Sequence, residues 1–404
     1  MTTGPQPPTS TLALAIHGTP VAASFVVTGA GSRVIEWLLG EAGSSRTVLD
    51  AQIPYARAAL SEYTGADASQ HVSIDEAGLM AEAAYWRALR LDAKSNLGKI
   101  GARPIAGVSC TATIATDRLK RGEHRAHFAI RVSGRSITAS LFMNKGLRDR
   151  DGEEEIVSRA LLNLLAEACG LSDRLPLELD AAESFETTEH TQDDPTSRIV
   201  AGKADLILIR RDGLQQSGSE ATPAKGRTIL PGSFNPLHDG HLELVNHASQ
   251  LTGKAPAMEL SIRNVDKPPI PLNVVEARIA QMRGEWDVVL TNAPTFAEKS
   301  RVLPYSTFVI GHDTAIRLVD DDYYPAYDAA ADPEKLGTAW GAAMSEIRRN
   351  GCDFVIAGRL ADGEFRTLPE AVLPNSLRDM IRILPEAEFR SDESSTALRG
   401  EHQA

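Results

Sequence analysis

Cysteine is scarce in this chain: three in 404 residues, at Cys110, Cys169 and Cys352. None falls in a C-x-x-C spacing, so neither a disulfide framework nor a cysteine-rich zinc site is supported, and a reducing, cytoplasmic setting fits. Basic charge is also in deficit. Lys and Arg number 42 against 54 Asp and Glu, a formal net charge of −12. That balance repels phosphate backbones and argues against nucleic-acid partners, although a local pocket can still hold a small anion. No apolar run approaches the roughly eighteen residues of a membrane helix, which argues against a membrane partner. The opening MTTGPQPPTSTLALAIHG has neither a basic n-region nor a signal-type apolar stretch, so residues 1–23 read as a flexible arm. No repeat of solenoid period is present.

What remains is ordinary globular composition, 42% hydrophobic and 24% charged, in a length that suits two domains. Residues 24–175 alternate short apolar runs with amphipathic stretches. FVVTGAGS reads as a strand turning into a helix, AGLMAEAAYWRALRL as a second helix, and EEIVSRALLNLLAEACG as a long helix closed by Gly170. PIAGVSCTATIATD, HRAHFAIRV and SITASLFM read as strands. Residues 176–226 are acidic and rich in Thr and Ser, with one apolar stretch, ADLILIRRDG; this is the composition of a linker. From 227 to 404 the runs AMELSIRN, WDVVLTN, STFVIGHD, CDFVIAGR and MIRILP recur between helical or polar stretches. Strands alternating with helices imply a doubly wound parallel sheet of Rossmann type, with ligands beyond the carboxyl ends of its strands.

The segment that carries chemistry runs from Gly232 through Ser233, Phe234, Asn235, Pro236, Leu237, His238, Asp239 and Gly240 to His241, where a strand gives way to a helix. Small residues let backbone approach a phosphate, and a helix start offers unpaired N–H groups and the positive end of its dipole. His238 and His241, three apart with a glycine between them, can address one ligand from the same turn. Phosphoryl-type transfer asks chiefly for positioning and for charge stabilisation at the oxygens, which two imidazoles can supply. A histidine pair can also bind metal, but no third ligand with zinc spacing accompanies it, so no protein metal site is assigned.

The stretch GSFNPLHDGH resembles the H-x-G-H signature of the nucleotidylyltransferase superfamily, which includes nicotinamide-mononucleotide and pantetheine-phosphate adenylyltransferases and the CTP-using cytidylyltransferases. Downstream, Ser394-Ser395-Thr396-Ala397-Leu398-Arg399 is similar to the S-S-T-x-x-R segment, which in the family opens a helix holding the triphosphate. Three hydroxyl residues at a helix start are also good caps in their own right, and Arg399 one turn later offers a forked cation. The resemblance further places Lys267 on phosphate oxygens, Gly311 and Asp313 at a G-x-D contact with the nucleotide, and Arg359 near the nucleotide. Read without it, Lys267 is a solvated lysine in a Pro-rich loop and Asp313 a helix cap. The run Asp320-Asp321-Asp322 reads as a solvated loop.

The resemblance implies transfer of AMP from ATP, accompanied by Mg²⁺, to a phosphorylated small molecule with release of pyrophosphate. S-S-T-x-x-R and H-D-G-H lean toward a pyridine mononucleotide as acceptor. Against this, V-D-K-P-P stands where such enzymes carry P-P-H-K, and Tyr323 and Tyr324 are the aromatic residues on offer for stacking the ring. CTP-dependent cytidylyl transfer and a nucleotide-binding regulator without turnover remain as alternatives. The first domain is similar to the C-terminal domain of competence-damage (CinA) proteins, deamidases of nicotinamide mononucleotide in their active members. Its E-S-C-T-G-G is represented by Phe25-Val26-Val27-Thr28-Gly29-Ala30, which puts Val26 at the nucleophile's position. Valine cannot be activated, so this half is expected to be non-catalytic and to serve in oligomerisation or ligand sensing. Thr28, Gly29 and Gly31 could line a small pocket or simply form a turn. Cys110, with His124 or His127 as base, is the one replacement nucleophile on offer; its strand context reads instead as a buried core thiol.

Overall fold

A computed structural model describes residues 8–404 apart from 68–69, 98, 118–121, 265–267, 320–338, 362–363, 369–377 and 391–404, and describes only the backbone at 319, 359–361 and 364. The chain divides into two compact units, with the main boundary between Asp193 and Asp194.

The first unit begins with α1 (Thr9–His17), β1 (Ala22–Thr28), α2 (Arg33–Leu39), α3 (Ser44–Thr47), β2 (Val48–Gln52), α4 (Arg57–Thr64) and α5 (Ile74–Ser95). It continues through β3 (Ile105–Thr113), β4 (His124–Val132), β5 (Arg135–Met143), α6 (Arg150–Ala168) and β6 (Ser184–Thr191). Its six strands form one sheet in the order β2-β1-β3-β4-β5-β6, parallel where β1 meets β2 and β3 and antiparallel from β3 onward. Helix α5 buries Ala77, Met80, Ala81, Ala84, Tyr85 and Ala88, a spacing of three and four that lays one face on the sheet. Gly107 makes the approach possible: a Cβ there would sit 2.1 Å from the Ala81 carbonyl and 2.3 Å from the Tyr85 nitrogen. Asp149 caps α6 by accepting the Gly152 N–H at 2.9 Å.

Two expectations are corrected here. The arm expected over residues 1–23 contains α1, whose Leu12, Ala13 and Ile16 are fully buried in the core. His17 ties it down by hydrogen bonds to the Thr47 hydroxyl and the Leu38 carbonyl, each 2.8 Å. The TLALAI run is too short to signal a helix by length, and its apolar face is stabilised by tertiary packing. The acidic linker expected over 176–226 is likewise structured. Strand β6 pairs with β5 over eight positions; as an exposed edge strand it needs ladder hydrogen bonds but few apolar side chains.

The second unit opens with α7 (Pro195–Val200), β7 (Leu206–Ile209), β8 (Gln215–Ser217) and a 3₁₀ turn at Gly218–Ala224. The core of this unit follows as β9 (Thr228–Pro231), α8 (Asp239–Thr252), β10 (Pro256–Ser261), α9 (Leu272–Ala280), β11 (Val288–Thr291), α10 (Phe296–Val302) and β12 (Thr307–Gly311). The chain then forms α11 (His312–Val319), α12 (Ala339–Arg349), β13 (Asp353–Ala357), the hairpin β14 (Arg359–Ala361) with β15 (Glu364–Arg366), and β16 (Ile381–Leu384). Eight strands order as β16-β13-β12-β9-β10-β11-β7-β8. The first six run parallel, and β7 joins antiparallel to β11, which makes the LILI run of the expected linker part of this sheet. The winding leaves β9 in one direction to β10 and β11 and returns on its other side to β12, β13 and β16. A doubly wound sheet opens a crevice at such a reversal. Phe296 meets Phe308 and Phe354 edge-on at 5.4 and 5.3 Å. Among the described residues no helix is long and apolar enough to cross a membrane.

Candidate active site

The loop after β9 leaves the sheet at that reversal of the winding. Gly232 donates its N–H to the Glu259 carbonyl of β10 at 2.9 Å, which fixes where the loop departs from the sheet. A Cβ on Gly232 would lie 2.8 Å from the ring of Phe234, so the turn requires glycine there. Phe234 holds a positive φ of 45° and is fully buried, and its ring meets His241 edge-on at 5.3 Å. Ser233 is left exposed at the crest. The Asn235–Pro236 peptide is cis. Gln281, just past α9, accepts the Leu237 N–H through Oε1 and donates from Nε2 to the Phe234 carbonyl, both at 2.9 Å. One side chain thus clamps both limbs of the loop.

His238 is the N-cap of α8 in extended conformation. Its N–H donates to Nδ1 of His241 at 3.3 Å, and the two rings lie 3.7 Å apart between centroids with a 35° tilt. Burial, reinforced by the neighbouring His238, pulls the His241 pKa from 6.5 down to about 3. His241 is therefore neutral at pH 7. An imidazole whose Nδ1 accepts a hydrogen bond keeps its proton on Nε2, so it offers that N–H as a donor at a helix start already favourable to anions. A neutral donor of this kind stabilises charge developing on a phosphoryl oxygen and lets the product leave more readily than a fixed cation would.

Gly311 ends β12 and Asp313 stands in the first turn of α11. Since β12 pairs with β9, the structure brings this segment to the strand end beside the histidine loop. Asp313 keeps a side-chain exposure of 62%, with His312 Nδ1 3.3 Å from its Oδ1. Arg359 begins β14, two residues beyond the end of β13. Lys267, Ser394, Ser395, Thr396 and Arg399 lie outside the described residues, as do Asp320, Asp321, Asp322, Tyr323 and Tyr324.

Two features beside the loop escape a reading of the sequence. Gln281 is one. The other is the ion pair of Glu259 and Lys299, 2.6 Å apart with side chains 1% and 6% exposed, where Thr291 also donates to Glu259 Oε1 at 2.6 Å. A charged residue in the middle of the apolar stretch AMELS was the available signal, because a buried carboxylate needs a partner.

The first unit lacks a comparable arrangement among its described residues. Val26 is fully buried and packs with Leu60, Met80 and Ala84. In the turn after β1, Gly29 takes a φ of 84° and a Cβ there would fall 1.9 Å from the Ala112 carbonyl. The donors that this turn presents are occupied from within: Glu154 accepts the N–H groups of Gly31, Ser32 and Arg33 at 3.1, 2.7 and 3.3 Å and the Ser32 hydroxyl at 2.9 Å. Cys110 is inaccessible, and burial pushes its thiol well above the usual range, the opposite of an activated nucleophile. Both histidines considered as its base are engaged elsewhere, His124 with Glu153 at 2.7 Å and His127 with the Ser140 hydroxyl at 2.8 Å.

Comparison with known proteins adds the following. No curated protein matches the chain. Among solved structures it is similar to the competence/damage inducible protein CihA from Agrobacterium tumefaciens, at 19% identity over 41% of this chain and 99% of that one, with a TM-score of 0.31. It is also similar to CinA superfamily proteins from Enterobacter cloacae (14% identity, 42% and 95% covered, TM-score 0.29) and Escherichia coli (16%, 40% and 87%, TM-score 0.30). Residues 229–401 match the family model described as cytidylyltransferase-like, a span that opens inside β9 and takes in the whole histidine loop. The second half of the chain carries a cytidylyltransferase-like domain.

Proposed function

We propose that the chain is an adenylyltransferase: a phosphate oxygen of a phosphorylated acceptor attacks the α-phosphorus of ATP in line, the bond from that phosphorus to the bridging oxygen breaks, and pyrophosphate leaves. The acceptor is a pyridine mononucleotide, nicotinamide or nicotinate. The observation that carries the reading is the neutral His241, held by His238 with its Nε2 proton free for a phosphate oxygen at the start of α8.

In this mechanism Gly232, Ser233 and Phe234 border the phosphates, and His238 and His241 donate to oxygens that gain charge as the α-phosphorus is attacked. Gly311 and Asp313 face the nucleotide from the neighbouring strand end. Lys267, Arg359, Ser394, Ser395, Thr396 and Arg399 take the roles that the family resemblance assigns them on the nucleotide and its phosphates. Mg²⁺ would be held mostly by the nucleotide's own phosphates and water, and would supply neutralisation of the phosphate charge. The name of the matching family favours one second reading, cytidylyl transfer from CTP. Pyrophosphate release by the purified chain with Mg²⁺, ATP or CTP, and both pyridine mononucleotides tests the choice. Turnover with ATP that is lost in His241→Ala supports the first reading, turnover with CTP alone supports the second, and nucleotide binding without turnover points to a regulator.

A further inference from the structure

Arg278 lies on the last turn of α9, half-buried, with its Nε buried and without a hydrogen-bond partner. Among the described residues no carboxylate is paired with it, and burial lowers the pKa of the guanidinium from the ordinary arginine value. Arg227, half-buried in the same unit, is by contrast matched to Asp287 at 2.7 Å. A desolvated cation left unpaired is costly, and proteins retain one where a ligand supplies the missing charge.

Its position says which ligand. Gln281, three residues on, grips Phe234 and Leu237 of the histidine loop, and side chains three apart on a helix share a face at about 5–6 Å between Cβ atoms. Arg278 therefore stands one turn from the clamp that holds the phosphate loop. It belongs to the crossover after β10, on one side of β9, whereas Gly311 and Asp313 approach from β12 on the other. With the nucleotide drawn to the β12 side, the β10 side is left to the second substrate.

We propose that Arg278 binds the phosphate monoester of the acceptor, forking two N–H groups onto its oxygens and holding the attacking phosphate beside His241. The proposal rests on the nucleotidyl-transfer reading for the name of its ligand, but its test reads binding and not turnover. Ribose 5-phosphate is the probe, titrated into the full-length chain at constant ionic strength and followed by the thermal unfolding midpoint and by calorimetry. The wild type is expected to bind and be stabilised. Arg278→Gln is expected to bind about tenfold or more weakly, as loss of a charge-assisted bidentate contact dictates, and Arg278→Lys to fall between the two, while stabilisation by ATP stays within about twofold of the wild type.

Without ligand, Arg278→Gln should unfold at or above the wild-type temperature, because the substitution removes an uncompensated charge. A lower midpoint would mean a structural arginine and would overturn the proposal, as would equal ribose 5-phosphate binding in the variant or no binding by the wild type. If Arg278 passes and no donor and acceptor pair ever releases pyrophosphate, the transfer reading fails while the phosphate site stands.

Discussion

The backbone N–H of His238 points into the ring of His241 and is accepted by Nδ1 at 3.3 Å, so one histidine fixes the tautomer of the other. Stacked at 3.7 Å, the pair cannot both carry charge cheaply, and burial selects the neutral form for His241. The consequence for chemistry is a donor whose direction is set before substrate arrives.

Replacement of that donor should be severe. His241→Ala is expected to lower the rate of pyrophosphate release by about 10²–10⁴-fold, the range for losing one preorganised donor or acid, with nucleotide binding changed far less. Stopped-flow pyrophosphate detection and nucleotide calorimetry on the same preparation check both parts.

Acid should destabilise the second unit through the same residue. His241 has a folded pKa of about 3 against an ordinary histidine value of 6.5, so the unfolded chain binds the proton first. Stability tied to this group is then complete above about pH 6.5 and is lost progressively as pH falls toward 3. Urea unfolding from pH 8 to 4 should show a shallower acid decline in His241→Asn than in the wild type. Equal declines would refute the assignment.

The clamp at Gln281 makes a different prediction. Gln281→Leu leaves the Leu237 N–H and the Phe234 carbonyl without their partner, at a cost of about 1–3 kcal/mol for each buried group that finds no water. The loop loosens, and kcat should fall while affinity for the nucleotide base is kept. Gln281→Glu retains the acceptor for Leu237 and should recover part of the loss.

Glu259 and Lys299 should behave as a couple. Lys299→Met strands a carboxylate that is 1% exposed and is expected to cost about 3–5 kcal/mol. The double variant Glu259→Gln with Lys299→Met should regain most of it, since no charge is then buried. Chemical denaturation of the two single variants and the double forms the cycle.

In the first unit, Val26→Ser should place a hydroxyl among Leu60, Met80 and Ala84. It is expected to destabilise by about 1–3 kcal/mol and to produce no deamidation of nicotinamide mononucleotide. Ammonia release from the variant would show that the surrounding groups still compose a hydrolytic site.

Much of this was legible before any coordinates. The strand, turn and helix around Gly232 and His241 follow from local rules, since apolar periodicity, a glycine turn and a helix start act over a few residues. The alternation of strands and helices from 227 onward likewise announced a doubly wound sheet. Segments whose structure depends on distant partners were not legible. Helix α1 reads as a Pro- and Thr-rich arm until Leu12 and Ile16 find their core, and β6 reads as linker because an exposed edge strand tolerates Thr and Glu.

By itself, then, the sequence determined the chemistry on offer, two histidines three apart after a glycine turn, because spacing along the chain sets which groups share one helical turn. Tertiary structure alone decided the state of that chemistry. Burial lowers the His241 pKa to leave the ring neutral beside Phe234, Gln281 from just past another helix shapes the loop, Glu154 fills the turn of the first unit from more than a hundred residues away, and the buried Nε of Arg278 is left without a partner among the described residues. Desolvation and long-range contacts exist only once the chain has packed, and periodicity along the sequence carries no record of them.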